Sequence, residues 1–291
     1  LAKRDKSLPR IFGQSRAAGT RAPDAERSAA AAPSPSAERT AAIGGTITAT
    51  IAVYSVKGGV GKTTTAANLA WCSAAVGHRT LLWDLDAAAG AGFLLGIDPE
   101  RRLAAGDVFT RERDAGDLIR PTEFERLEVL PADESIRTLD RSFSALGKRR
   151  RLAKLTEELG ARFDRIVLDC PPVLNELSAQ AMRAADIVIV PLPPSPLSAR
   201  AFDLVAREVA SHARRHPPIL PVHSMLDLRR ALHRQAREAD PDWPAIPYAS
   251  AVEQCAVQRR PVGALAPQSP AAQSYAALWR AIDRKLAERA G

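Results

Sequence analysis

Residues Lys57 to Thr64 read Lys-Gly-Gly-Val-Gly-Lys-Thr-Thr, and this stretch constrains the fold more than any other part of the chain. The apolar run before it, Ile47 to Val56, has the composition of a buried strand, and the Ala-rich segment after it has that of a helix. Strand, glycine-rich turn and helix form the context that a phosphate-binding loop requires. Glycines let backbone N–H groups close around phosphate oxygens, and the helix N-terminus adds the positive end of its dipole. In such a loop Lys62 reaches the terminal phosphates and the Thr63 hydroxyl holds Mg²⁺. Cation usage points the same way. Only seven of the 41 basic residues are lysines, and Lys57 and Lys62 bracket this loop. A chain that otherwise uses arginine has kept the compact point charge where phosphate comes close.

A second signal lies at Phe163 to Pro172, Phe-Asp-Arg-Ile-Val-Leu-Asp-Cys-Pro-Pro, where an apolar strand ends in a single carboxylate, Asp169. Between the two, Arg79 to Asp86 reads as a buried strand closing on Asp84 and Asp86, spaced i, i+2 on one face. Helix is expected from Thr63 to about Val76 with Gly77 as its C-terminal cap, and again over Ala199 to Arg215. Further strands are expected at Arg126 to Pro131, Ile187 to Pro191 and Ile219 to Met225, the last being the final core strand. Ile136 to Gly160 carries helical spacing broken near Gly147, and its Lys148-Arg149-Arg150-Arg151 run reads as a solvated face. Tyr275, Leu278, Trp279, Ile282 and Leu286 fall on one face of a C-terminal helix, a core-docking stripe rather than a membrane anchor. Strands alternating with helices, and carboxylates at strand ends, specify an α/β domain with a doubly wound, mainly parallel sheet flanked by helices.

Residues 1 to 45 are rich in Ala, Pro, Ser and Arg with little periodicity, and read as a disordered basic extension before a phosphate-loop domain over 46–291. The net charge of +8 is compatible with a polyanionic partner. Cys72, Cys170 and Cys255 stand far apart, which excludes a CxxC metal or redox motif and suits a reducing cytoplasm. No apolar run reaches the roughly 18 residues of a membrane span.

One departure from the general phosphate-loop pattern is informative. Val56 stands where the generic loop has its first glycine, and Lys57 adds a second lysine. This resembles the deviant Walker A motif of the ParA/MinD family of P-loop ATPases, and the Asp169 segment resembles that family's Walker B motif. The resemblance implies ATP and Mg²⁺ as ligands, with Lys57, Gly58, Gly59, Val60, Gly61, Lys62, Thr63 and Thr64 around the nucleotide and Thr63 and Asp169 at the metal. It implies Lys57, Lys62 and Asp86 as the catalytic set, Lys57 reaching the partner subunit's nucleotide and Asp86 orienting the attacking water. Three positions depart from the family. Ala87-Ala88 replaces Pro-Gln after Asp86, Cys170 stands where Thr is common, and Ser224-Met225 occupies the place of an adenine-contacting Asn.

The function implied is a weak, partner-stimulated Mg-dependent ATPase of the ParA type. It would dimerise on ATP, bind DNA without sequence preference and partition a plasmid, chromosome or protein cargo over the nucleoid in the cytoplasm. A ParB-like protein would activate it. Arg214, Arg215, Arg229, Arg230, Arg234, Arg259 and Arg260 are the candidate DNA contacts. Two other readings stay open: a MinD-like positioning ATPase that acts on membranes, and a metabolic P-loop enzyme.

Overall fold

The computed structural model describes residues 48–98, 100, 103–139, 150–211 and 216–290. The expected basic extension therefore lies outside the described residues, as do Gly147, Lys148, Arg149, Arg214 and Arg215. Eight strands form one sheet: β1 (Ala49–Val53), β2 (Thr80–Asp84), β3 (Arg120–Pro121), β4 (Leu127–Leu130), β5 (Arg165–Asp169), β6 (Ile187–Leu192), β7 (Ile219–Leu226) and β8 (Ala245–Pro247). Their order is β3-β4-β2-β5-β1-β6-β7-β8. Every pairing is parallel except the antiparallel contact of β3 with β4. The main helices are α1 (Lys62–Ala75), α2 (Arg151–Leu159), α3 (Glu176–Ala184), α4 (Pro196–Ser211), α5 (Ala231–Ala239), α6 (Ser250–Gln258) and α7 (Pro270–Ala290).

The inner strands are largely apolar because both sheet faces are covered. In β1, Ile51 and Val53 point into a core with Leu69 of α1, Cys255 of α6 and Tyr275, Leu278, Trp279 and Ile282 of α7. Ala52 and Tyr54 point the other way, toward Leu152 of α2, Leu177 of α3 and Val205 of α4. The C-terminal stripe is thus core, as its periodicity implies, with Trp279 and Ile282 almost fully buried.

Chain order reverses around β1, the strand between β5 and β6. Such a switch point opens a crevice at the strands' C-terminal ends, which is where ligands bind in open α/β sheets. Helix α1 ends as expected at Gly77, whose φ is 105°. The Gly77 N–H donates to the Ala74 carbonyl at 2.9 Å and the His78 N–H to the Ser73 carbonyl at 3.2 Å, a Schellman cap.

Several expectations need correction. Ile219–Leu226 is not the final strand, because β8 adds beside it through a pairing with a register irregularity. Three residues ending in Pro247 give too little apolar pattern to read as a strand. Helix α4 begins at Pro196, three residues early, since proline suits the first helical turn. Arg151 is not on a solvated face. It is 8% exposed, and its Nε donates to the Phe109 carbonyl at 2.7 Å.

Candidate functional site

The loop between β1 and α1 turns on two glycines in the left-handed region, Gly59 at φ 69° and Gly61 at φ 87°. A Cβ added to Gly58 or Gly59 would meet nothing within 4 Å, so the loop faces open space. Helix α1 starts with the Thr65 N–H donating to the Gly61 carbonyl at 2.9 Å. Its N-terminus has no side-chain cap and no acid in the first turn. The orphan N–H groups and the positive dipole end are therefore free for an anion.

Lys62 is only 7% exposed, and its Nζ donates to the Lys57 carbonyl at 3.2 Å, closing the loop on itself. Burial lowers the Lys62 pKa, while the negative charges of Asp169 and Asp86 oppose that shift. The parallel registers bring the acids to this loop. Asp169 pairs with Val53 on one side and with Asp84 on the other, so three strand ends converge.

Asp84 is fully buried. Its Oδ1 accepts from the Asp86 N–H at 3.0 Å and its Oδ2 from the Ala91 N–H at 2.9 Å. Burial pushes its pKa up to about 7, against the pull of those amides. Asp169 is also fully buried, yet neither carboxylate oxygen has a hydrogen-bond donor in proper geometry. Its pKa is raised well above the usual carboxylate range, first by burial and then by Asp84, while the Thr63 hydroxyl and Lys62 favour the charged form. A buried acid with two unpaired oxygens beside a second acid is the environment that a divalent cation would compensate. The donor set fits Mg²⁺: a carboxylate and a hydroxyl, both hard oxygens.

Asp86 lies beyond the end of β2 rather than on one strand face with Asp84. It is half-buried, and its Oδ1 accepts from the Ala88 N–H at 3.0 Å in a local turn. Ala89 follows in the left-handed region at φ 53°. The turn Gly90–Phe93 then packs on the loop: a Cβ on Gly90 would stand 3.2 Å from the Thr63 Cγ2. Lys57 is half-buried beside the exposed Gly58, and Val60 is buried. Thr64 anchors its carbonyl on the Asn68 Nδ2 at 2.8 Å. Cys170 and the other two cysteines are buried free thiols, and burial raises the pKa of each.

One contributor went unnoticed in the sequence, and a second, Met225, was marked there only as a departure from the family. Asn68 bridges α1 to the 262 segment, its Oδ1 accepting from the Val262 N–H at 2.8 Å. A lone amide within an Ala-rich helix was the available signal. Met225 takes φ 52° and brings its Cε 3.6 Å from where a Gly61 Cβ would lie.

The arginines divide into two groups. Arg229, Arg230 and Arg234 are exposed at the start of α5, although Arg229 pairs with Asp227 at 2.8 Å and Arg234 donates to the Leu228 and Arg229 carbonyls. Arg259 and Arg260 are half-buried and engaged within the chain, with Asp98 at 2.8 Å and Glu123 at 2.9 Å respectively. No helix among the described residues is long and apolar enough to cross a membrane.

Comparison with known proteins agrees with this geometry. The AAA domain family model matches residues 48–216. The sporulation initiation inhibitor protein Soj of Bacillus subtilis (strain 168) is 35% identical over 144 residues, 49% of this chain and 57% of Soj. The chromosome partitioning protein ParA of Caulobacter vibrioides (strain NA1000 / CB15N) is 40% identical over 146 residues, 49% of this chain and 55% of ParA. The chain spans about half the length of these curated relatives. Among solved structures, cobyrinic acid a,c-diamide synthase from Mycobacterium smegmatis with bound ADP and magnesium superposes with a TM-score of 0.70 at 25% identity. That match covers 82% of this chain and 95% of the synthase.

Proposed function

The chain belongs to the ParA/MinD family of P-loop ATPases, and from that premise we propose that residues 46–291 hydrolyse magnesium-ATP to drive a dimer switch on DNA. The observation that carries the reading is Asp169, a buried acid with both oxygens unpartnered, held beside Thr63 and Lys62 at the mouth of an open phosphate loop. Backbone amides of Gly58 through Thr64 cradle the phosphates, and the Lys62 ammonium offsets their charge. Thr63 and Asp169 hold Mg²⁺, which supplies charge neutralisation at the transferring phosphoryl group. Asp86, half-buried at the loop's edge, orients the attacking water.

In a face-to-face dimer Lys57 reaches the nucleotide of the other subunit, across Gly58 and Gly59, where no side chain obstructs the approach. Hydrolysis is slow until an activating partner of the ParB type completes the electrostatic cage, since catalysis here is chiefly positioning and charge stabilisation. DNA contact is assigned to the exposed Arg229, Arg230 and Arg234, with Arg214 and Arg215 as further candidates, rather than to the engaged Arg259 and Arg260. The protein then acts in the cytoplasm on the nucleoid, partitioning a plasmid, chromosome or protein cargo.

The deciding experiment follows binding of the purified protein to random-sequence duplex DNA and to anionic liposomes, with no nucleotide, ADP or ATP, at two salt concentrations. DNA binding that requires ATP, weakens with salt and is lost in Lys57→Ala supports the proposal. ATP-dependent liposome binding without DNA binding refutes it in favour of a membrane-acting relative. Binding to neither removes the DNA switch and leaves only a nucleotide-binding protein.

A further inference from the structure

We propose that Arg259 is a positioning residue for the loop that follows β2, and through it for the magnesium side of the site; this rests on the ATPase reading above. In the sequence Arg259 is half of a basic pair offered as a candidate DNA contact. In the structure its guanidinium is committed three ways to one short segment. The Nε donates to the Phe93 carbonyl at 3.2 Å, the Nη1 pairs with the Asp98 carboxylate at 2.8 Å, and the guanidinium lies over the Phe93 ring, 4.6 Å from its centroid. Asp98 is 83% exposed, so that pair alone would contribute little. The planar fork and the stacking make the arrangement specific to arginine.

Phe93 ends the helical turn Gly90–Phe93, and the start of that turn reaches the site. Gly90 packs on the Thr63 methyl, and the Ala91 N–H donates to the Asp84 Oδ2 at 2.9 Å. Arg259 itself closes α6 in the left-handed region at φ 54°, a backbone conformation that a non-glycine residue rarely adopts. Three residues on, the Val262 N–H is held by Asn68 of α1. The 259–262 segment is thus tethered to the phosphate-loop helix on one side and to the 93–98 segment on the other. Arg259 closes the frame that holds Thr63, Asp84 and Asp86 in register.

The test compares Arg259→Ala, Arg259→Lys, Asp98→Ala and the Arg259→Ala/Asp98→Ala double variant, with Lys285→Ala as a surface control. Three quantities are followed in the full chain: ATP turnover against magnesium concentration, backbone hydrogen exchange at Asp86 and Ala91, and thermal midpoint. Arg259→Ala is expected to lower kcat roughly three- to tenfold through loosened positioning. It should also raise the half-saturating magnesium concentration and speed exchange at both amides. Lysine should not rescue, and the double variant should be no worse than Arg259→Ala, because both substitutions cut one latch. Wild-type exchange at Asp86 and Ala91 in Arg259→Ala overturns the proposal whatever the turnover, as does a defect confined to DNA binding. Should the wild-type protein itself hydrolyse no ATP, the ATPase reading falls, and the exchange arm alone decides the role of Arg259.

Discussion

Replacing Asp169 with asparagine should stabilise the nucleotide-free protein while abolishing its chemistry. Asp169 is fully buried, both its oxygens lack donors, and Asp84 stands beside it in register. A buried polar group without a partner costs about 1–3 kcal/mol, and more when charged. The neighbouring Asp84 shares this environment: burial raises its pKa from 3.8 to about 7, and its charge in turn raises that of Asp169. The Asp169→Asn substitution removes one of the two interacting charges and keeps a side-chain oxygen that can accept from the Thr63 hydroxyl, so a gain of about 1–3 kcal/mol at pH 8 is expected. For a domain of this size that raises the midpoint by roughly 2–10 °C.

The sign of the pH dependence follows from the raised pKa. In the folded state both acids hold their protons above the range where the unfolded chain has released them. Stability of the wild type is therefore lost as pH rises from about 4 toward and through the folded pKa values, near 7 for Asp84. The advantage of Asp169→Asn should accordingly be largest at pH 8 and small at pH 5. Thermal and urea unfolding at both pH values, in chelator and without nucleotide, measure it. A variant equally or less stable than wild type at pH 8 refutes the reasoning. Addition of magnesium-ATP should reverse the order, stabilising wild type more than the variant.

Two further substitutions probe the frame around α1. Asn68→Ala removes the side-chain bonds to the Thr64 carbonyl and the Val262 N–H and leaves the buried Val262 N–H unpaired, at an expected cost of about 1–3 kcal/mol in urea unfolding; a loss under about 0.5 kcal/mol would refute that role. Gly263→Ala sets a Cβ 2.0 Å from the Trp71 Cζ3, so the ring or the 262 segment must shift, costing about 1–3 kcal/mol. Adding Trp71→Leu should recover part of that loss, and a double variant as unstable as the sum of the singles would show that the ring is not the obstacle.

Much of the site was legible because its determinants are local. A strand, two glycines with positive φ, an uncapped helix start and Lys62 all lie within about fifteen residues, and each acts on its immediate neighbours. Asp169 was legible for the same reason, as a carboxylate closing an apolar run. The doubly wound sheet follows from continuous apolar strands alternating with helices, since a strand buried on both faces needs helices on both.

What the chain alone could not reveal depends on partners far along it. The same cation, arginine, is exposed at Arg230, buried against the Phe109 carbonyl at Arg151 and stacked on Phe93 at Arg259. The partners are 42 and 166 residues away, and no periodicity encodes them. The electrostatic cost at Asp84 and Asp169 likewise arises only when the register of β2 and β5 sets the two carboxylates side by side. The phosphate loop, the acids and the α/β class are written into short stretches of chain, because backbone geometry and hydrophobic period are local properties. Which charges end up buried, paired or free is set by tertiary contacts, because solvation and Coulomb energy depend on what folding brings near.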